Sequence, residues 1–174
     1  MDWSQFAAVA PEIARFAKER ISRTGLLMLG TLRADGWPRI SPIEPIILQG
    51  LLIVGGTHGT RKTLDLMRDP RCSLNTIVTD KDGTEGEVKL FGRALEITNA
   101  ETIDRMAEDT FKRYGFRPAP HTYHNFSFDI TSAAQIVFRG DLTGTIRTWR
   151  EGEPVSEQSR RWTPDGYKII RPAE

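Results

Sequence analysis

One short basic segment carries the residues best suited to chemistry. Residues 55–70 read GGTHGTRKTLDLMRDP, directly after an apolar run. A glycine-containing turn presents backbone N–H groups, Thr57 and Thr60 offer hydroxyls, and Arg61 with Lys62 adds two positive charges. A helix that begins here would add the positive end of its dipole. The segment therefore predicts a small site for an anion such as phosphate; the alternative is an ordinary solvated basic helix start.

Other arrangements of reactive side chains are less promising. A nucleotide-binding P-loop requires glycine immediately before its lysine, and Arg61 occupies that position. His121 and His124 lie in a proline-rich stretch without helical spacing or cysteine ligands, so we expect no metal site. No Ser-His-Asp set or carboxylate pair has a meaningful spacing. The sequence therefore identifies no catalytic residue.

The composition narrows the class of protein. The 174 residues contain 24 Lys and Arg against 23 Asp and Glu, a formal net charge of +1. General nucleic-acid and membrane-surface binders carry a strong basic excess, so we expect neither partner. The single cysteine, Cys72, cannot form an internal disulfide and suits a reducing compartment. Because no signal peptide or membrane-length apolar run is recognisable, we expect a cytoplasmic protein.

The elements that must position the basic segment are mostly strands. Asp35-Gly36 and Gln49-Gly50 predict tight turns between apolar runs, and Pro42 predicts an edge or bulged strand. The later runs CSLNTIVT, EVKLFGRALEIT, FSFDI, AAQIVFRG, GTIRTW and YKIIR also have strand character. The pattern predicts a mainly β protein, a β-barrel or sandwich with peripheral helices.

Two helices are predicted before and within the basic segment. The first covers about residues 3–22, and Gly25 ends it. The second is short, covers residues 60–68, and is expected to turn Leu64 and Met67 inward.

A third helix is predicted between the later strands. Thr98 stands three residues before Glu101, which is the spacing of a capping box, and Gly115 closes the helix. Its expected apolar face consists of Ile103, Met106, Ala107 and Phe111.

The order of these elements resembles the pyridoxamine 5′-phosphate oxidase-like family of flavin-binding split β-barrels. The resemblance rests on LGTLRADGWPRISPIEPII, LLIVGGTHGTRKTLDLMRDPRCSLNT and EVKLFGRALEI, and it covers residues 26–97 well and the remainder loosely. It implies one FMN-binding split β-barrel domain over residues 1–174, with the barrel at about 25–170. It also implies a homodimer with the cofactor at the subunit interface.

The resemblance assigns the cofactor contacts. In the family the second strand lies against the flavin, a Ser/Thr-Arg-Lys element holds the phosphate, and a polar residue before Gly-Arg-Ala touches the ring. The matching residues are, in that order, Arg39, Ile40 and Ser41; Thr60, Arg61 and Lys62, with Thr57 in the preceding loop; and Glu87. Glutamine is usual at the last position, so Glu87 is a departure.

Further departures concern the substrate. Where pyridoxamine phosphate oxidases proper carry a lysine, this chain has Glu44, and their Arg-X-His corresponds to Arg147-Thr-Trp149. A usual tryptophan corresponds to Arg139. The resemblance therefore implies not pyridoxal phosphate synthesis but an FMN-dependent oxidoreductase that transfers hydride to or from a small molecule, with Arg147 and Trp149 as substrate candidates.

Three alternatives stay open. The same barrel carries reductases that use the deazaflavin coenzyme F-420, whose longer tail also bears phosphate. Some relatives bind haem through a histidine, which here could be His58, His121 or His124. The chain could also bind or carry a flavin without turnover.

Overall fold

A single antiparallel sheet dominates the molecule. The computed structural model describes residues 1–119 and 121–170. Within these residues the strands are β1 (Leu27–Leu32), β2 (Pro38–Ile43), β3 (Ile46–Leu48), β4 (Leu51–Thr57), β5 (Arg71–Thr76), β6 (Glu87–Glu96), β7 (Tyr123–Phe138), β8 (Thr143–Arg150), β9 (Ser156–Thr163) and β10 (Gly166–Ile170). The helices are α1 (Trp3–Val9), α2 (Pro11–Thr24), α3 (Arg61–Arg68) and α4 (Ala100–Tyr114). The prediction of a mainly β protein with peripheral helices is confirmed.

The long strand β7 is the point at which the sheet branches. The strand order is β10-β9-β8-β7-β6-β5-β1-β2, and β4 joins β7 as well as β3. The first part of β7 pairs with β4, where Gly56 lies opposite His124, and its last part pairs with β8. This branching brings the end of β4, where the basic segment begins, beside the start of β7. Strand β2 ends the order, so the edge strand predicted from Pro42 is confirmed.

The core lies between one face of the sheet and helices α1 and α2. Its largest fully buried side chains include Phe6, Ile13, Leu29, Phe126 and Phe128. The predicted single N-terminal helix is instead two helices, because the chain leaves helical geometry at Ala10 and restarts with Pro11. Gly25 ends α2 in the left-handed conformation, as predicted.

A buried ion pair ties α2 to the loop between β5 and β6. Arg20, 5% exposed, donates to the Glu85 carboxylate at 2.5 Å. The backbone N–H of Thr79 also donates to that carboxylate. The Thr79 and Arg20 hydrogen bonds together lower the pKa of Glu85 from 4.5 to about 2.

The inner face predicted for α3 is wrong. Leu64 and Met67 of α3 are 46% and 48% exposed, and the helix buries Thr63, Asp65 and Leu66 instead. The helix takes this orientation because Asp65 pairs with an arginine of β2 beneath it, while Leu66 supplies the apolar contact.

Helix α4 departs from the prediction at its N-cap and at one residue of its expected apolar face. Asn99, not Thr98, caps it by accepting from the Thr102 N–H. Phe111 is 50% exposed, whereas Met106 is buried. Gly115 ends the helix as predicted. The predicted last strand runs to Ile170, and its Arg171, like the predicted domain limit at residue 174, lies outside the described residues.

Candidate cofactor site

The turn between β4 and α3 is built from threonine hydroxyls and a carbonyl group. The carbonyl of Thr57 accepts from the N–H of Thr60 at 3.2 Å and from its hydroxyl at 2.9 Å. The Thr60 hydroxyl also lies 3.0 Å from that of Thr63. Thr60 occupies the N-cap position without capping the helix through its side chain. The first N–H groups of α3 therefore keep their capacity to bind an anion.

Gly56 lets the start of α3 lie directly against β4. A Cβ at this position would come within 2.9 Å of the Thr63 methyl and 3.1 Å of Lys62 Cε. The Lys62 ammonium in turn donates to the Pro42 carbonyl at 3.4 Å. Lys62 thus lies between β4 and β2 and contacts β2 one residue after the predicted Ser41.

Arg61 and Lys62 carry charges that no carboxylate neutralises among the described residues. The first turn of α3 also contains no acidic residue. By contrast, Arg68 and Arg71 close by pair with Asp65 and Asp69. Two unpaired cations at the positive end of a helix oppose its dipole.

Arg39 is held in place by a buried carboxylate that the sequence reasoning missed. Its Nε donates to Asp65 Oδ2 at 2.6 Å, and Thr31 donates to the same oxygen at 2.9 Å. Burial raises the pKa of Asp65, but the hydrogen bonds from Arg39, Thr31 and Arg68 outweigh burial and hold the pKa below its usual value. The other guanidinium nitrogens of Arg39 have no partner in the described part of the chain. Asp65 therefore orients Arg39 and leaves these donors available.

The second strand divides its predicted residues between the two faces of the sheet. Arg39 and Ser41 pair with Thr31 and Leu29, on the face that carries the core. Ile40 points to the other face and is 69% exposed. Side chains from β2 therefore reach both sides of the strand.

Glu87 does not join this cluster within one chain. It accepts from Asn75 at 3.3 Å and pairs with Lys89 at 2.9 Å. Successive residues of a strand face opposite sides, so Glu87 and Leu90 of β6 lie on opposite faces of the sheet. Leu90 aligns across the sheet with Leu74, Leu29 and Ser41. Glu87 thus lies on the other face of the sheet from Arg39 and Ser41.

The two substrate candidates lie elsewhere. Trp149 is 4% exposed and packs against Phe6 with ring centroids 5.2 Å apart. Arg147 pairs with Glu12 and Glu157 at 3.0 Å and 2.6 Å. The structure does not bring either side chain to α3, which packs on β1 and β4.

Two histidines meet beside the basic segment. The rings of His58 and His124 have centroids 4.0 Å apart, and His124 Nδ1 is 2.7 Å from Glu96 Oε1. His121 lies in a turn, with a positive φ of 59°. In residues 1–119 and 121–170, no three His, Cys, Asp or Glu side chains are grouped as a metal site.

The sequence carried a weak signal for Asp65 and none for the pairing of His58 with His124. Asp65 is the one acidic residue of α3 and follows a basic pair, which marks it as a possible arginine partner. The histidines are far apart in the chain and meet only through the register of β4 with β7.

Comparisons with known proteins agree on the fold. A search of curated protein sequences finds no significant match. Among solved structures, Campylobacter jejuni ChuZ has a TM-score of 0.64 at 12% identity over 82% of this chain, which spans 61% of that longer chain. A heme binding protein from Mycobacterium smegmatis gives 0.63 at 14% identity, covering 92% of this chain and 88% of the other.

A third similar structure belongs to the pyridoxinephosphate oxidase family. It is a protein from Clostridium acetobutylicum related to general stress protein 26, with a TM-score of 0.58 at 14% identity over 85% of this chain and 96% of the other. At these identities the structural likeness shows the fold alone. None of the helices in the described residues is long and apolar enough to cross a membrane. The family profile described as pyridoxamine 5′-phosphate oxidase matches residues 13–137, and the chain therefore belongs to the pyridoxamine 5′-phosphate oxidase-like family.

Proposed function

We propose that the protein is an FMN-dependent oxidoreductase whose phosphate site is the start of α3. The observation that carries this proposal is the unneutralised pair Arg61 and Lys62 at a helix N-terminus. Cations there oppose the helix dipole by about 0.3–1 kcal/mol each, so the fold gains nothing from them. A bound phosphate dianion would make the electrostatic energy of this site favourable, because it attracts both the cations and the positive end of the helix.

The neighbouring residues fit a phosphate group. Gly56 allows the backbone of β4 and the helix start to approach each other closely. Arg39, oriented by Asp65, offers its remaining guanidinium donors from the adjacent strand. Thr57 and Thr60 would add hydroxyl contacts, and the backbone of β2 at Ile40 and Ser41 would lie alongside the flavin. When bound, FMN supplies hydride transfer, and the protein supplies binding, orientation and exclusion of water.

Glu87 supports a homodimeric arrangement. Since it lies on the opposite face of the sheet from Arg39, one chain cannot direct both side chains at one cofactor. Two chains can, if the outer face of β2, β1, β5 and β6 forms the interface. Ile40, Gly30, Ser73 and Phe91 align in one row across that face, and Ile40 and Phe91 are 69% and 42% exposed. We infer a two-fold dimer with the flavin between its subunits.

Haem binding is a second candidate, favoured by His58 and His124. A structurally similar protein is described as heme binding, and here two imidazoles lie side by side near the loop. FMN is the stronger proposal for two reasons. His124 already contacts Glu96, and the unpaired charges of Arg61 and Lys62 lie in the basic segment, where a phosphate group would neutralise them. Coenzyme F-420 would use the same cations through its own phosphate.

Titration of the purified protein with FMN, riboflavin, F-420 and haemin tests the proposal. We expect FMN to bind tightest. Riboflavin, which is FMN without its phosphate, should bind at least about 100-fold more weakly, because it lacks the charge-assisted contacts. Equal affinity for FMN and riboflavin would remove the argument for a phosphate site, and tighter binding of F-420 or haemin would reassign the cofactor. A protein that binds FMN but reduces no acceptor would be a flavin carrier.

A further inference from the structure

The outer edge of β10 can accept a further strand. This strand ends the sheet and pairs with β9 and with no other strand of the described residues. The strand at the opposite end of the sheet, β2, contains Pro38 and Pro42, which lack an N–H and so interrupt its row of donors. Strand β10 contains no proline. Its edge is therefore the better template for an added strand.

The hydrogen bonds of β9 identify the backbone groups that this edge presents. Trp162 donates its N–H to Leu142, on the β8 side of the strand. In an antiparallel pair, residues that bond to each other alternate with residues that do not. Trp162 lies opposite Tyr167, so the N–H and C=O of Tyr167 point away from β9. The same holds for Ile169, two residues along the strand. Both residues thus offer a backbone donor and acceptor at the outer edge.

One face of the strand beside this edge is apolar. Tyr167 and Ile169 share that face and are 54% and 60% exposed. The Arg160 guanidinium lies over the Tyr167 ring, 4.3 Å from its centroid, and holds the ring on the sheet. An added strand with apolar side chains at the two facing positions would cover both residues and remove apolar surface from water.

The other face carries a row of cations. The register places Arg139, Thr143, Arg161 and Lys168 opposite one another across the end of the sheet. The three cations are exposed, and none forms an ion pair within residues 1–119 and 121–170. The nearby Asp141 accepts instead from the N–H and the hydroxyl of Thr143. Like charges directly opposite each other destabilise a sheet, and an acidic partner would offset this cost.

Lys168 disfavours a second copy of this chain as the occupant. It is the central residue of Gly166–Ile170, so full antiparallel pairing of two β10 strands would place it opposite its own equivalent. A lysine on an edge strand commonly prevents such self-association. A glutamate or aspartate opposite Lys168 would instead form an attractive pair. That pair would be of the type without mutual backbone hydrogen bonds, in which side chains are closest.

We propose that the outer edge of β10 binds an extended acidic segment of another protein as an additional antiparallel strand. The segment places a glutamate or aspartate opposite Lys168 and apolar residues opposite Tyr167 and Ile169. Backbone hydrogen bonds provide the affinity and the alternating side chains provide the specificity. Binding at this edge does not require the proposed cofactor.

Titration of the full chain with two capped peptides tests the proposal. Valine alternates with glutamate in one peptide and with lysine in the other, and both are long enough to pair with all of β10. We expect the glutamate peptide to bind with a Kd below about 1 mM and to shift the backbone amide NMR signals of Tyr167 and Ile169, but not that of Ile40 on β2. The lysine peptide should bind at least about tenfold more weakly, because Lys168 and Arg161 repel it. Added salt should reduce this difference.

Two substitutions locate the added strand. Lys168→Glu should reverse the preference, so that the lysine peptide binds more tightly, whereas Lys18→Glu, the same change at an exposed position of α2, should not. Ile169→Pro removes an N–H that points away from β9 and leaves the hydrogen bonds to β9 in place. It should weaken the glutamate peptide at least about tenfold.

Several results would overturn the proposal. They are no binding of the glutamate peptide to the parent protein at about 1 mM, equal affinity for the two peptides, and an unchanged preference in Lys168→Glu. Amide signals of β10 that shift with protein concentration alone would assign the edge to a second copy of the chain. If Ile169→Pro does not fold, the preference of Lys168→Glu decides.

Discussion

Replacing Arg61 and Lys62 together by alanine separates their role in binding from any role in folding. Arg61 is exposed, and the only hydrogen bond of the Lys62 ammonium in the described residues is the 3.4 Å bond to the Pro42 carbonyl. Both charges oppose the dipole of α3, and removing them relieves about 0.3–1 kcal/mol each, against the loss of one long hydrogen bond. We therefore expect the free energy of unfolding to stay unchanged or to rise by about 1 kcal/mol.

The same substitution should sharply weaken FMN binding. A hydrogen bond to a charged group contributes about 1.5–3 kcal/mol, so two lost contacts correspond to at least a roughly 100-fold increase in Kd. Riboflavin has no phosphate for these cations to hold, so its affinity should not change. The variant should thus lose most of the preference for FMN over riboflavin and keep only the part that Arg39 and the start of α3 supply.

Calorimetric titration with both ligands and urea unfolding of both proteins measure these effects. Arg15→Ala with Lys18→Ala on α2 is the matched control, because it removes the same charge from exposed helical positions away from the loop. Added salt should weaken FMN binding to the parent protein and to this control. If the Arg61 and Lys62 variant prefers FMN over riboflavin as strongly as the parent protein does, the phosphate site lies elsewhere.

Three further outcomes follow from individual contacts. The pKa of Glu85 is lowered to about 2 in the folded protein, so its contribution to stability is complete above about pH 4.5 and is lost as the pH falls toward 2. Urea unfolding of the parent protein and of Glu85→Gln should therefore show a stability difference that shrinks as the pH falls from 4.5 toward 2. Gly56→Ala places a Cβ 2.9 Å from a side chain of α3, so it should lower the unfolding free energy by about 1–3 kcal/mol and weaken FMN binding. Gly140→Ala, with no atom within 4 Å of its Cβ, should do neither. Calorimetry that finds the two variants alike would contradict a close approach of α3 to Gly56. Phe91→Asp should convert a dimer to a monomer in light scattering after size exclusion, and Leu142→Asp, at a more exposed turn, should not. A dimeric Phe91→Asp variant would place the interface on another face.

Much of the local structure could be predicted from the sequence. The hairpin turns at Asp35-Gly36 and Gln49-Gly50 and the helix ends at Gly25 and Gly115 all occur where expected. These features depend on residues that adopt positive φ and on hydrogen bonds a few positions away. Helix α3 also occurs where the basic segment predicted a short helix.

The inward faces of the short helices could not be predicted in this way. Leu64 and Met67 suggest an apolar inner face for α3, but Asp65 turns inward because Arg39 and Thr31 lie beneath it. The partner that compensates a buried carboxylate comes from another strand, and no periodicity along the helix records it.

The local sequence was enough to identify the basic segment as a candidate anion site, because its glycines, threonines and cations are neighbours in the chain. The fold was needed to see that Asp65 orients Arg39, that Glu87 faces away from both, and that an open cavity lies beneath α4. Each of these depends on the register between strands distant in sequence. A shift of one residue in that register would exchange the two faces of a strand, and the pairing is set by packing of the whole sheet, not by local preference.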